Sequence, residues 1–221
     1  MIQLPFADRE EAGRMLADHL GFHKPSDEAT VLALPRGGVP VGFAIAEQLH
    51  MPLDVLSVRK LGVPWQPELA MGAIAGGVRV LDEDIISELA ITGQDIDRIA
   101  EREQAEITRR EKLYRRGRPP LELAGRAVIL VDDGLATGST MRAAIAALKK
   151  LQPAKIVVAV PVAVRSACAE LEEEVDEVVC ARTPEPFYAV GQWYAEFTQT
   201  TDEEVRELLA RAEEEMAHPR R

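Results

Sequence analysis

The sequence predicts an α/β fold with a mostly parallel, doubly wound sheet flanked by helices, and three observations carry that prediction. Short β-branched runs alternate with segments of helical periodicity, the pattern of strand–helix–strand units. The run AVILV at 127–131 has the length and branching of a strand covered on both faces, as parallel strands are. The 221 residues, 47% of them hydrophobic, suffice for one such core with an insertion and a small appendage.

The elements follow in order. Asp8 to Leu20 places Ala12, Met15, Leu16 and Leu20 at helical spacing, and a turn at Pro25–Ser26 leads into the strand TVLALP, where a core spanning about 30–182 begins. A helix is expected over Val39–His50 and a strand over Leu53–Val58. The next segment, Arg59 to Gly77, is rich in Gly and Pro and cannot be one regular element, so a mobile loop or hairpin is expected. From Asp82 to about residue 118 the pattern is helical. Within it, Asp95–Arg116 carries a thin apolar stripe of Ile96, Ala100, Ile107 and Tyr114, with Glu106/Arg110 and Glu111/Arg115 spaced as ion pairs, the mark of an exposed, inserted helix. The breaker GRPP at 117–120 ends it. Beyond the strand at 127–131 come the helical run TMRAAIAALKKL, a strand over Ile156–Val164, a helix over Arg165–Glu174 and a strand over Glu177–Ala181. The tail, about 183–216, ends in a helix opened by a capping box, Thr201 to Glu204. No internal repeat appears, and 1–221 reads as a single domain.

Composition narrows the function. A net charge of −11 argues against nucleic acid as the main partner, because that affinity comes from Lys and Arg neutralising phosphates. Two cysteines, Cys168 and Cys180, are too few for a disulfide framework and lack metal-ligand spacing; buried thiols in a reducing cytoplasm are expected. The N-terminus lacks a signal-peptide pattern, and the longest apolar run, Ile156 to Val164, is interrupted by Pro161, so no membrane partner is expected.

The most informative stretch is Val128 to Thr140, VILVDDGLATGST. Asp132 and Asp133 fall where a buried strand surfaces, and two carboxylates there are costly unless used. Gly134 to Thr140 then supplies two glycines and the hydroxyls of Thr137, Ser139 and Thr140 at a helix start, an anion cradle of backbone N–H groups that needs no lysine. Carboxylates repel bare polyphosphate but suit vicinal sugar hydroxyls, so a ribose 5-phosphate satisfies both halves. A P-loop would need Lys before its final Ser or Thr, and a dinucleotide fingerprint would need G-x-G-x-x-G; neither occurs here. An ordinary helix N-cap would explain the hydroxyls but not both acids.

This stretch resembles the phosphoribosyl pyrophosphate (PRPP) signature of the type I phosphoribosyltransferases, and over about Thr30 to Phe197 the chain is similar to bacterial stand-alone members whose acceptor is unassigned. The resemblance implies that superfamily's fold with a small C-terminal hood, Mg²⁺ brought with PRPP, and a homo-oligomer, expected to be a dimer. It implies 5-phosphate binding by Gly134, Ala136, Thr137, Gly138, Ser139 and Thr140, with Asp132 and Asp133 on the ribose. Loops after separate strands should converge beyond the sheet's carboxyl edge. Arg36, Gly37 and Gly38, directly after the first core strand, can grip a second anion and resemble the family's pyrophosphate loop. Arg59 and Lys60 resemble the Arg-Lys pair that precedes a closing loop in the adenine-specific branch. Arg36 and Lys60 would join the two acids as catalytic groups, and Glu68 inside the lid is an acid/base candidate.

Five of the ten aromatics lie in 181–197; core packing for the last helix would explain them, yet the segment also resembles the base-binding hood of purine enzymes. Phe187 or Tyr188 before Val190 and Gly191 would stack on the base, with Trp193 nearby. Two departures weaken a hypoxanthine reading: no acid follows that Val-Gly, and Ala136 stands where those enzymes carry an Asp. The resemblance thus implies transfer of the 5-phosphoribosyl group to a nitrogenous, purine-like acceptor, as in cytoplasmic purine salvage. The alternatives are a non-catalytic PRPP-binding regulator, for which no nucleic-acid-binding element is seen, and a sugar-phosphate hydrolase.

Overall fold

The computed structural model describes residues 4–20, 29–115 and 122–218. In chain order its elements are α1 (Arg9–His19), β1 (Ala29–Ala33), α2 (Gly38–Leu49), β2 (Leu53–Val55), β3 (Val58–Val63), β4 (Gln66–Ala75), β5 (Val78–Leu81), α3 (Glu83–Glu88) and α4 (Gly93–Arg115). There follow β6 (Ala127–Val131), α5 (Ser139–Lys150), β7 (Lys155–Val162), α6 (Arg165–Glu172), β8 (Glu177–Arg182), a 3₁₀ turn at Val190–Trp193 and α7 (Asp202–Ala217). The breaker at 117–120 and the turn at Pro25–Ser26 lie outside the described residues.

Five strands form a parallel sheet in the order β2-β1-β6-β7-β8, with registers such as Val31↔Leu53, Ala33↔Val131 and Val160↔Cys180. Because side chains alternate across a strand, Val31 and Ala33 point to one face and Leu32 to the other, and both faces are apolar. The first face packs Leu16 of α1, Phe43 and Ile45 of α2 and Leu209 of α7. The second packs Ile145 and Leu148 of α5 and Leu171 of α6. The expected doubly wound fold is present.

The segment Arg59 to Gly77 is not a loose loop. β3, β4 and β5 make a three-stranded antiparallel sheet, so the hairpin half of the expectation holds and the mobile-loop half does not. Leu61, Val63, Met71 and Ile74 are buried against Ile91, Ile96, Ile99 and Ile107 of the following helical segment. Its Gly and Pro residues mislead because they serve the turns: the β3–β4 register shifts around Gly62, and Pro64 sits in the reversal. The single strand expected over Leu53–Val58 splits for the same reason, since the chain leaves one sheet after β2 and enters the other at Val58.

The helix expected to be inserted is α4, and its apolar stripe is buried, with Ile99 and Glu103 added. It is a cover rather than a free arm. Arg110 pairs with Glu106 (2.8 Å), but Arg115 forks onto Asp54 of β2, at 3.0 Å from Oδ2. The Tyr114 hydroxyl donates to Asp202 Oδ1 (2.6 Å), fastening α4 to α7. The capping box at Thr201 and Glu204 is formed. The cysteines overturn their expectation: Cys168 and Cys180 are joined in a disulfide, because α6 doubles back over β8 and brings residues 12 apart in sequence together.

Candidate active site

Neighbouring strands β1 and β6 send their chains to opposite sides, β1 toward β2 and β6 toward β7. Such a reversal opens a crevice beyond the carboxyl ends. Two loops meet there. The Leu34 N–H donates to the Val131 carbonyl (2.8 Å), laying the Arg36–Gly38 loop against the end of β6. A Cβ on Gly37 would overlap Asp133 Oδ2, and one on Gly38 would lie 2.7 Å from the Val131 carbonyl oxygen. Only glycines allow this approach. Arg36, joined to Pro35 by a cis peptide, has Nη1 3.7 Å from Asp202 Oδ1 at the start of α7.

Asp132 and Asp133 are half-buried at the base of the crevice. Asp132 Oδ1 accepts the Asp133 N–H (2.8 Å). Burial pushes both carboxyls above the usual range; the charge of Asp133 adds to the rise at Asp132, and Arg9 opposes it at Asp133. Arg9 has no counterpart in the sequence reading. Its Nε and Nη2 both lie 2.9 Å from Asp133 Oδ2, and its Nη1 donates to the Thr198 carbonyl (2.8 Å). No local signal marks it, because an arginine in ADREE reads as a solvated helix start.

The loop after Asp133 is tied down at Leu135, whose N–H donates to the Val162 carbonyl and whose carbonyl accepts the Val164 N–H, both at 2.9 Å. Gly138, at φ 70°, begins α5 with no side-chain cap, and the first turn of α5 carries no acid. The Ser139 N–H has only a long contact to Thr137 Oγ1 (3.5 Å), and the start of α5 presents the amides that follow and the positive end of the helix dipole. The Thr137 and Ser139 hydroxyls are 2.9 Å apart, and Arg142 Nη2 donates to the Thr137 carbonyl (2.9 Å). Ala136 and Thr140 are exposed at the rim.

The aromatic segment after β8 closes one side. Phe187, Val190 and Trp193 pack half-buried against Phe6, Ala12, Val162 and Tyr194, whereas Tyr188 stands 77% exposed. Val190 abuts the loop after Asp133, its methyl group filling the place a Gly134 Cβ would take. The buried Tyr194, given no site role from the sequence, donates its hydroxyl to the Asp133 carbonyl.

Arg59 and Lys60 lie apart from these loops in their described bonds. Arg59 Nε donates to Glu103 Oε2 on α4 (2.7 Å), and both residues border a cleft of about 570 Å³ with Arg98 and Arg102. Glu103 is 6% exposed; burial alone would raise its pKa, but bonds from Arg59 and Arg102 hold it below the usual range. Glu68 is exposed near the β3–β4 turn.

Among the described residues no group of three or more His, Cys, Asp or Glu forms a metal cage, and no helix is long and apolar enough to cross a membrane. Two adjacent carboxyls do suit Mg²⁺, which keeps several waters and is commonly held by one or two carboxylates plus substrate phosphates.

A switch-point crevice with paired carboxyls beside a helix start defines an α/β protein with a ligand-sized opening at the carboxyl edge of its sheet. The phosphoribosyl transferase domain family matches residues 9–192, and the chain belongs to that family. Two Mycobacterium tuberculosis proteins, from strains CDC 1551 and H37Rv and provisionally named phosphoribosyl transferases, are each 46% identical over 213 residues. The match covers 96% of this chain and 48% of theirs, so the chain spans about half the length of the curated relatives it matches. A Thermus thermophilus protein of known crystal structure is similar at a TM-score of 0.84 and 40% identity, over 94% of this chain and 99% of that one.

Proposed function

We propose that the chain is a phosphoribosyltransferase that moves the 5-phosphoribosyl group of PRPP to a nitrogenous, purine-like acceptor and releases pyrophosphate. The observation that carries this is the contact between Gly37 and Asp133, which sets a loop fit for pyrophosphate against acids fit for ribose, beside the open start of α5.

In the reaction the C1–O bond to pyrophosphate breaks, its electron pair leaving with the pyrophosphate, and the acceptor nitrogen forms the new C1–N bond and loses a proton. Positive charge develops on the ribose. Asp132 and Asp133 orient its hydroxyls and lie near that charge, while the amides of 136–140 hold the 5-phosphate. Arg36 turns from Asp202 to the leaving pyrophosphate. The β3–β4 hairpin is the lid, and bringing Lys60 over the site exchanges the Arg59–Glu103 bond for contacts to pyrophosphate. Glu68 at its tip is the candidate for the acceptor proton. Mg²⁺ bound with PRPP would be held by Asp132 or Asp133 and would supply charge neutralisation on the pyrophosphate. Phe187, Tyr188, Val190 and Trp193 form the acceptor side. A dimer working in cytoplasmic purine salvage completes the reading, which draws support from the family and from the aromatic hood.

The test is pyrophosphate release from PRPP and Mg²⁺ against purine, pyrimidine and amine acceptors, with acceptor-free controls and an Asp132→Asn/Asp133→Asn variant. Acceptor-dependent release that the variant lacks supports the proposal. Release that needs no acceptor, or that persists in the variant, sinks it.

A further inference from the structure

Arg9 reaches Asp133 from 124 residues away in sequence and is held among groups of differing character. On one side is Asp133 Oδ2, on another the Thr198 carbonyl, and across its face the Phe197 ring, 3.9 Å from the guanidinium carbon to the centroid. We propose that Arg9 is a positioning residue for phosphoribosyl transfer: by engaging Asp133 through Oδ2 alone, it turns Oδ1 toward the ribose hydroxyls and couples that carboxylate to the hood. This rests on the phosphoribosyl reading above.

The geometry separates positioning from simple bracing. The N-terminal segment is already fastened to the hood by backbone bonds, from Phe6 N–H to the Trp193 carbonyl (2.8 Å), from Ala195 N–H to the Phe6 carbonyl (2.7 Å) and from Glu196 N–H to the Ala7 carbonyl (2.9 Å). These backbone bonds attach the segment without the Arg9 side chain. Its fork passes beyond the seam to the carboxylate, with both contacts on one oxygen. A guanidinium offers its donors in a fixed plane, so the bond to Thr198 and the ring beneath it set the angle at which Asp133 is held. Helix α1 starts at this point because Asp8 caps it, accepting the Glu11 N–H at 2.8 Å, so the base of the Arg9 side chain is itself fixed.

Asp133 shares its loop with Asp132, the Arg9 guanidinium comes from α1 and bonds its carboxylate directly, and the Tyr194 hydroxyl comes from the hood and bonds its main-chain carbonyl. Without Arg9 the carboxylate loses the bonds that fix its angle to the crevice.

The experiment compares wild type, Arg9→Met, Arg9→Lys and, as a control, Arg14→Met, where Arg14 pairs with Glu10 on the exposed side of the same helix. PRPP affinity is read by calorimetry, turnover by pyrophosphate release, and folding by circular dichroism. Arg9→Met should weaken kcat/KM for PRPP roughly 100-fold, the scale of a misplaced reacting group, while remaining folded. The loss should fall on kcat more than on PRPP affinity, and Arg9→Lys should recover part of it. Arg14→Met should match wild type. An active wild type with an unaltered Arg9→Met, or a loss in Arg9→Met that Arg9→Lys does not recover, overturns the role of Arg9 alone. A wild type that neither binds PRPP nor releases pyrophosphate overturns the phosphoribosyl reading itself.

Discussion

The hydroxyl of Tyr194 donates to the main-chain carbonyl of Asp133 at 2.5 Å, so the hood and the acidic loop are joined through a bond that uses no acidic side chain. Tyr194 is buried, stacks on Phe197 at 5.1 Å between centroids and lies 5.6 Å from Phe6. Burial, and then the charge of Asp133, push its hydroxyl far above the ordinary tyrosine range, so it remains a donor at any working pH.

Tyr194→Phe should therefore lower stability by about 1–3 kcal/mol, because it leaves a buried carbonyl without its partner. Thermal melts check this. An unchanged Tm would mean that water replaces the hydroxyl at no cost.

Asp132→Asn should abolish turnover and yet stabilise the fold at neutral pH. The native pKa of Asp132 lies above its unfolded value, so its contribution to stability is fully present below the unfolded value and is lost as pH rises through the native one. The amide has no such loss, and its oxygen can still accept the Asp133 N–H. The melting-temperature gain should be present at neutral pH and vanish once the solution falls below the ordinary carboxyl pKa of about 4. A gain that is independent of pH would contradict the burial of a charged carboxylate.

Gly138→Val should remove PRPP binding by calorimetry while circular dichroism stays native. At φ 70° a side chain costs about 1–2 kcal/mol, more when β-branched, and the amides that begin α5 would be displaced. A Cβ there would also lie 3.3 Å from Arg142 Nη1. Wild-type affinity in this variant would exclude the loop as the 5-phosphate site.

Glu103→Gln should loosen the β3–β4 hairpin from α4 and cost roughly 1–2 kcal/mol, less than a fully buried pair because Arg59 and Arg102 reach solvent. The native pKa of Glu103 lies below the ordinary value, so its stabilisation is present above the unfolded value and fades as pH falls through the native one. The stability difference between wild type and variant should shrink below about pH 4. Hydrogen exchange of hairpin amides that is equal in the two proteins at neutral pH would show that the pair does not hold the hairpin.

How much of this was legible follows from how far apart the interacting residues lie in the chain. Asp132 to Thr140 could be read as acids and a loop leading into a helix because strand, acids, loop and helix start are contiguous, and the capping box at Thr201 and Glu204 could be read because its partners are three residues apart. The stripe of α4 showed in its spacing, though its cover, the β3–β5 sheet, was masked by glycines and prolines that mark turns and a bulge as readily as disorder.

By itself the sequence determined the parallel α/β fold and the run of strand, paired acids, glycine loop and helix start, because periodicity and backbone chemistry act between near neighbours. Only the tertiary structure decided that Gly37 lies against Asp133, that Arg9 and Tyr194 converge on that residue, that Arg115 pairs with Asp54, and that Cys168 meets Cys180. The first three exist because the sheet order sets β1 beside β6 and folds the N-terminal helix and the hood over their shared edge, and the other two because α4 covers β2 and α6 doubles back over β8, arrangements of distant segments that no local spacing encodes.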